Sequence, residues 1–223
     1  MKKTTFVALL LLSSQCLAES LNDSLLSIES EWATIYYSTP KQKQGTGYSR
    51  LLDRTINLAK QHPNNAEPII WEAIVKAANA DHQDAVSALE AIHEARDLLL
   101  KAIAINPQAM DGSAYVTLGT LYYMAPKWPI AFGDEATAQK MLQTALKINP
   151  DGIDSNYFYG DFLLSNNNLN EAEKHFKRAI AIPVRAKQFY ADNQLKEQAR
   201  LALKNTKEQR LSATKSLFAS LFN

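Results

Sequence analysis

The chain has 223 residues, enough for one or two ordinary domains with a substantial core, and carries only 7 glycines and 8 prolines. So few turn formers among abundant Ala, Leu, Lys, Gln and Glu suit long helices and argue against a many-turned β fold. With 24 Lys+Arg against 23 Asp+Glu the formal net charge is +1, without the basic excess of a nucleic-acid binder.

The first 18 residues have the three parts of a secretory signal. Lys2 and Lys3 supply the positive start, Phe6 to Leu12 a short apolar core, and Ser13 to Ala18 a polar, small-residue end. No later apolar run approaches the roughly 20 residues needed to cross a bilayer. Cleavage after Ala18 is expected to leave Glu19 as the new N-terminus. Cys16 is the single cysteine, and a lipoprotein would place a small residue before it. Gln15 is bulky and polar, so a soluble periplasmic protein is expected rather than one anchored at Cys16. Without the leader the chain has no cysteine for a disulfide, and 22 basic against 23 acidic residues leave a net charge of −1.

Residues 19–223 read as one domain of helical repeats. A weak first pair is expected over 25–63, with Leu25, Ile28, Trp32, Ile35 and Tyr36 on one helix. Leu51, Leu52, Ile56 and Leu58 would lie on the next, after a Gly45-Thr46-Gly47 turn. Three clearer pairs follow over 68–107, 112–150 and 153–183. Their first helices carry Trp71, Ile74, Val75 and Ala78, then Tyr115, Leu118, Gly119 and Tyr122, then Asn156, Tyr159, Gly160 and Leu163. Each set falls at i, i+3, i+4 and i+7 and so shares a face. The second helices carry Ala95, Leu99, Ala102 and Pro107, then Ala138, Leu142, Ala145 and Pro150, then Ala172, Phe176, Ala179 and Pro183. The alanines admit a close neighbour, and the proline stops the helix. Helices over 186–223 close the array, the segment from Ala186 to Asn205 serving as a cap over the last apolar face.

These alignments resemble the tetratricopeptide repeat, whose first helix reads aromatic, Leu, Gly, Tyr and whose second reads Ala, Phe, Ala, Pro. The resemblance implies an all-α solenoid of antiparallel helix pairs with a C-terminal capping helix. Gly160 to Ala172 keeps the family's 12-residue spacing, whereas Gly119 to Ala138 spans 19 residues and the Trp71 repeat has a similar excess around Asp81 to Ala91. Pro63, Pro107 and Pro150 therefore recur at intervals of 44 and 43 residues rather than the usual ~34. The segment from Ala114 to Pro183 also resembles the T components of TRAP transporters, periplasmic repeat proteins paired with a substrate-binding protein. That likeness implies an accessory role in uptake of small apolar organic molecules.

In tetratricopeptide arrays the concave groove is lined by first-helix positions beside the signature. Carried onto this chain, these are Glu72, Lys76 and Asn79, then Val116, Thr120 and Tyr123, then Tyr157, Asp161 and Leu164. The set lacks a Lys or Arg in its last repeat to clamp a peptide carboxylate, so an amphipathic peptide or helix, or a small organic ligand, is the expected occupant. The segment from Tyr122 to Asp134 holds four aromatics and two prolines where a short turn should be. Its Trp128 and Phe132 are expected either to plug the array or to help form the concave site, on an ordered loop.

Catalytic signatures are missing. No G-x-S-x-G or phosphate-binding glycine loop occurs, and no cysteine nucleophile follows the leader. Asp81, His82 and Asp84 lie together, but His93 follows His82 at i+11, ~16 Å away on one helix and too far for one metal ion. No cofactor or metal is expected, and His62, His82, His93 and His175 read as surface residues. Leu211, Leu217, Phe218, Leu221 and Phe222 form an apolar stripe on a short last helix, either packed on the final repeat or docked on a partner or second copy. The sequence thus points to an exported, non-enzymatic scaffold that binds a partner protein, with room for an apolar ligand. The alternative is a transport accessory of the T type.

Overall fold

A computed structural model describes residues 20–220, with side chains described to Leu211. The expected signal segment, Cys16 included, lies outside them. Among the described residues nine α-helices follow one another: α1 (Leu21–Ser38), α2 (Lys41–Gln61), α3 (Ala66–Ala80), α4 (Ala85–Ile105), α5 (Ser113–Met124), α6 (Glu135–Ile148), α7 (Ile153–Ser165), α8 (Leu169–Ala181) and α9 (Phe189–Ser220). Among the described residues no strand forms, apart from a single bridge between Lys127 and Gly133. The architecture is an all-α solenoid of the tetratricopeptide-repeat type: α1/α2, α3/α4, α5/α6 and α7/α8 are its antiparallel pairs, and α9 covers the end.

The alanine signature does what its spacing implies. Ala95, Leu99, Ala102, Ala138, Leu142, Ala145, Ala172, Phe176 and Ala179 are each 0% exposed. The paired glycines explain how α5 and α6, and α7 and α8, come so close. A Cβ on Gly119 would stand 2.6 Å from Leu142 Cγ, and one on Gly160 would stand 2.9 Å from a Phe176 ring carbon.

The extra residues of the two long repeats are used differently. In the α3/α4 pair they lengthen α4 to 21 residues, started by Asp84, which accepts hydrogen bonds from Val86 N at 3.0 Å and Ser87 N at 3.2 Å. In the α5/α6 pair they form the loop 125–134, after which Asp134 caps α6 by accepting from Thr137 N. Between α4 and α5 the chain passes through left-handed backbone at Met110 (φ 48°), Asp111 (φ 54°) and Gly112 (φ 83°). Such backbone costs about 1–2 kcal/mol at a non-glycine residue. It is offset where Met110 packs against both the α1–α3 and the α3–α5 cores.

Three local expectations are corrected. Gly45-Thr46-Gly47 is not a turn but the interior of α2, because Thr39 and Pro40 already make the turn. Instead, the glycines permit close approach: a Cβ on Gly45 would lie 3.1 Å from His82 Cβ, and one on Gly47 3.1 Å from Ile35 Cγ1. Second, the 68–107 pair does not close on the Trp71 face, although Trp71, Ile74, Val75 and Ala78 do lie together. Ile69, Ile70 and Ala73 share the core with Ala95, Leu99 and Ala102, while Trp71 and Val75 pack with Ile28, Ile35 and Leu51 of α1 and α2. Third, the C-terminal segment is one continuous helix to Ser220 rather than a cap followed by a separate short helix. Leu195, Ala199, Ala202 and Thr206 of α9 are buried against the last repeat, and Arg210 reaches Glu173 of α8 at 2.6 Å. Leu211 is 60% exposed; the side chains of Leu217, Phe218, Leu221 and Phe222 lie outside the described ones.

Candidate functional site

The helix positions carried over from the repeat signature separate into two groups. On α5 and α7, Tyr123, Tyr157 and Asp161 come together. Tyr123 Oη donates to Asp161 Oδ2 at 2.5 Å, and Tyr123 is edge-on to Phe162 at 5.7 Å. Burial, then the Asp161 carboxylate, raises the Tyr123 phenol well above its ordinary range. Burial raises Tyr157 likewise, with Asp161 adding to it. Val116 is buried, and Thr120 and Leu164 are half-buried along the same helices. This inner face is therefore neutral, phenolic and weakly acidic.

The α3 trio stands elsewhere. Lys76 pairs with Glu94 of α4, and it lines a groove with Leu52, Asp84, Glu90 and Glu94 between α2 and α4. Burial raises the Glu72 carboxyl; its charged neighbours are Lys76, Lys101 and Lys60. Asn79 is 7% exposed. The cause is the rotated phase of α3: once Trp71 and Val75 turn toward α1 and α2, the residues beside them turn away from Tyr123 and Asp161.

The loop 125–134 is ordered by its own backbone. Ala125 N donates to Leu121 O at 2.8 Å, Gly133 N to Pro126 O at 2.9 Å and Asp134 N to Tyr122 O at 2.9 Å. Gly133 is required there, since a Cβ would lie 2.1 Å from Ala125 O. The Trp128-Pro129 bond is cis. The two aromatic candidates part company. Phe132 is a plug: it is edge-on to Tyr122 at 5.3 Å and to His93 at 5.0 Å, with the Arg96 guanidinium 4.8 Å above its ring. Trp128 is 85% exposed, flanked by Ile130 at 64% and Met124 at 70%. The two aromatics thus take different places, Phe132 as a plug and Trp128 in solvent. The loop packs a half-buried Phe132 against α4 and α5 and leaves Trp128 and Ile130 exposed as an apolar spur.

The histidines and acidic residues near residue 81 serve separate structural ends. His82 lies 5.6 Å from the Tyr48 ring, His93 packs on Phe132, and Asp84 caps α4. Among the described residues no group of three His, Cys, Asp or Glu could hold a metal ion. His175 Nδ1 shares a 3.1 Å hydrogen bond with Asn156 Oδ1, and burial lowers its pKa.

A second junction was not visible in the sequence. Tyr36 and Tyr37 at the end of α1 meet α9: the Tyr37 ring is edge-on to Tyr190 at 6.3 Å, and Ser38 Oγ is hydrogen-bonded to Tyr190 Oη. Trp32 stacks on Tyr36 at 5.2 Å and lies 6.0 Å from Trp71. The superhelix therefore brings its two ends together.

Comparison with known proteins agrees with this architecture. Residues 130–191 match a family model described as tetratricopeptide repeat. A solved thermophilic TPR protein of Thermus thermophilus is similar at a TM-score of 0.54 and 16% identity, covering 82% of this chain and 92% of that one. The crystal structure of MamA aligns at a TM-score of 0.44 and 18% identity, covering 78% of this chain and 95% of that one. No curated protein sequence matches the chain.

Proposed function

We propose that this chain, a tetratricopeptide-repeat protein by its signature and fold, is an exported scaffold that binds a partner protein through the spur on its α5–α6 loop. The observation that carries this reading is Trp128, 85% exposed on a loop whose backbone is fixed and whose neighbour Phe132 is anchored. A buried tryptophan stabilises a fold; one held out in water by an ordered loop costs hydrophobic free energy that a partner can recover. Ile130 and Met124, nearby in the sequence and also exposed, add apolar surface of the kind found at interface hot spots. Preorganisation lowers the entropy lost on docking. Export rests on Lys2, Lys3, the Phe6–Leu12 core and Ala18. The transport-accessory reading has the sequence resemblance over Ala114 to Pro183 as its support, and a binding protein and permease encoded beside this chain would favour it.

The test is capture of periplasmic proteins by the parent and by Trp128→Ala, with both melting temperatures measured. The proposal expects a partner lost from the variant at unchanged melting temperature, since truncating a hot-spot tryptophan costs about 2 kcal/mol or more of binding. Equal recovery of the same partner by both would overturn it.

A further inference from the structure

The junction between α1 and the start of α9 is held by hydrogen bonds and the Tyr37–Tyr190 ring contact, and among the described residues none of the four buried hydrophobic clusters crosses it. Glu29 Oε2 of α1 accepts from Gln188 Nε2 at 2.7 Å, and Ser38 meets Tyr190, 152 residues further along the chain. These contacts can part without opening a repeat core. Helix α1 would stay with α2 and α3, where Ile28 and Ile35 are buried.

The charges at this seam do not balance. Glu29 from α1, Asp154 from α7 and Asp192 from α9 surround one guanidinium, Arg185. Asp192 is 1% exposed and accepts from the guanidinium at Nη2, 2.6 Å, and Nε, 3.1 Å, and from the Arg185 backbone N at 2.7 Å. Glu29 and Asp154 share only its field. Asp154 Oδ1 itself is buried without a hydrogen-bond partner, and so is one further acceptor, Gln188 Oε1. Two surplus carboxylates beside unsatisfied acceptor oxygens call for protons.

We propose that the seam is a proton-operated clasp: protonation of Glu29 or Asp154 closes the two ends of the superhelix on each other, and ionisation of both lets them part. Burial raises the carboxyl pKa of Glu29 and of Asp154 by more than Arg185 lowers either. The other groups facing the seam do not cancel the imbalance. Burial holds the phenols of Tyr37 on α1 and Tyr157 on α7 neutral, and Tyr36 and Tyr190 add no cation. Burial also works against the Arg185 charge, but the bonds to Asp192 and the field of Asp154 keep it cationic. A carboxyl whose pKa is raised in the closed form carries no penalty below its open-form value. The penalty then grows as pH rises through the raised value. Closure is therefore favoured in acid and weakens toward neutrality and above, when the half-buried Tyr37 and Tyr157 become accessible from the inner face.

The clasp is testable without knowing any partner. Residues 19–223 contain no cysteine, so spin labels at Ser30→Cys and Lys187→Cys in the full chain carrying Cys16→Ser report across the seam alone. The short-distance population should dominate at about pH 4.5, and the longer one should rise several-fold by about pH 8. Glu29→Gln with Asp154→Asn should stay closed at both values, and Gln188→Glu should open at lower pH than the parent. Labels at Lys140→Cys and Lys174→Cys, within the α6–α8 body, should not move. A parent distribution independent of pH, equal opening of the Glu29→Gln, Asp154→Asn variant, or a shift of the body pair at the same pH would each overturn the clasp.

Discussion

Gly119→Ala tests the packing of the repeats most sharply, because two effects of known size oppose each other. Helix propensity favours alanine over glycine by about 0.8–1.0 kcal/mol in a helix interior. Against this, the new Cβ would lie 2.6 Å from Leu142 Cγ, 3.1 Å from Leu142 Cδ2 and 3.2 Å from the backbone oxygen of Ala138. Carbon–carbon contacts are optimal near 3.5–4.0 Å. Leu142 would have to retreat by about 1 Å, and at 0% exposure it has nowhere to go. Overpacking of this kind costs about 1–3 kcal/mol, so the substitution should destabilise the fold by a net of about 1 kcal/mol. For a domain of this size that is a fall in melting temperature of about 2–4 °C. Leu142→Ala alone should cost about 2–5 kcal/mol. It also removes the obstacle, so Gly119→Ala in that background should stabilise by several tenths of a kcal/mol, the Ala138 oxygen still trimming the gain. Thermal and denaturant melts of the four proteins give the cycle, with an expected coupling of about 1–2 kcal/mol. A rise in melting temperature for Gly119→Ala in the parent, or additivity in the cycle, would refute this account of the α5–α6 approach.

Further outcomes follow from the same geometry. Phe132→Ala should destabilise by about 2–3 kcal/mol through loss of its contacts with Tyr122, His93 and Arg96, whereas Trp128→Ala should stay within about 0.5 kcal/mol; paired melts check both. Asp84→Ala should weaken α4 at neutral pH. Hydrogen bonds from Ser87 and Val86 hold the Asp84 carboxyl below its ordinary value, so this contribution is present above the unfolded-state pKa and lost as pH falls through the folded one; melts of parent and variant should converge in acid. Intact-mass analysis of the exported protein should find a chain beginning at Glu19; a lipidated Cys16 would contradict that.

The repeat signature was legible because Ala138, Leu142 and Ala145, like Ala172, Phe176 and Ala179, occupy one face of an otherwise polar helix. Helix α3 was harder, and for a physical reason. It is buried on nearly every side, so Ala66, Ile69, Ile70 and Ala73 fit the i, i+3, i+4, i+7 pattern as well as Trp71, Ile74, Val75 and Ala78 do. Reading the second pattern put Lys76 beside the signature, and its side chain pairs with Glu94 of α4. The roles of Phe132 and Trp128 could not be separated by composition, since both are large and apolar. What separates them is the hydrogen-bonded course of the loop backbone. The α1–α9 seam depends on the curvature of the superhelix summed over four helix pairs, which no local pattern encodes.

The central claim, that a protein partner docks on the spur, is tested most directly by site-specific photocrosslinking in cells that produce the protein. A photoreactive residue at Trp128 or Ile130 should give a discrete adduct with one partner. The same group at Gln108, exposed in the α4–α5 connection, should give none. An adduct from Gln108 with none from Trp128 and Ile130 would contradict the account.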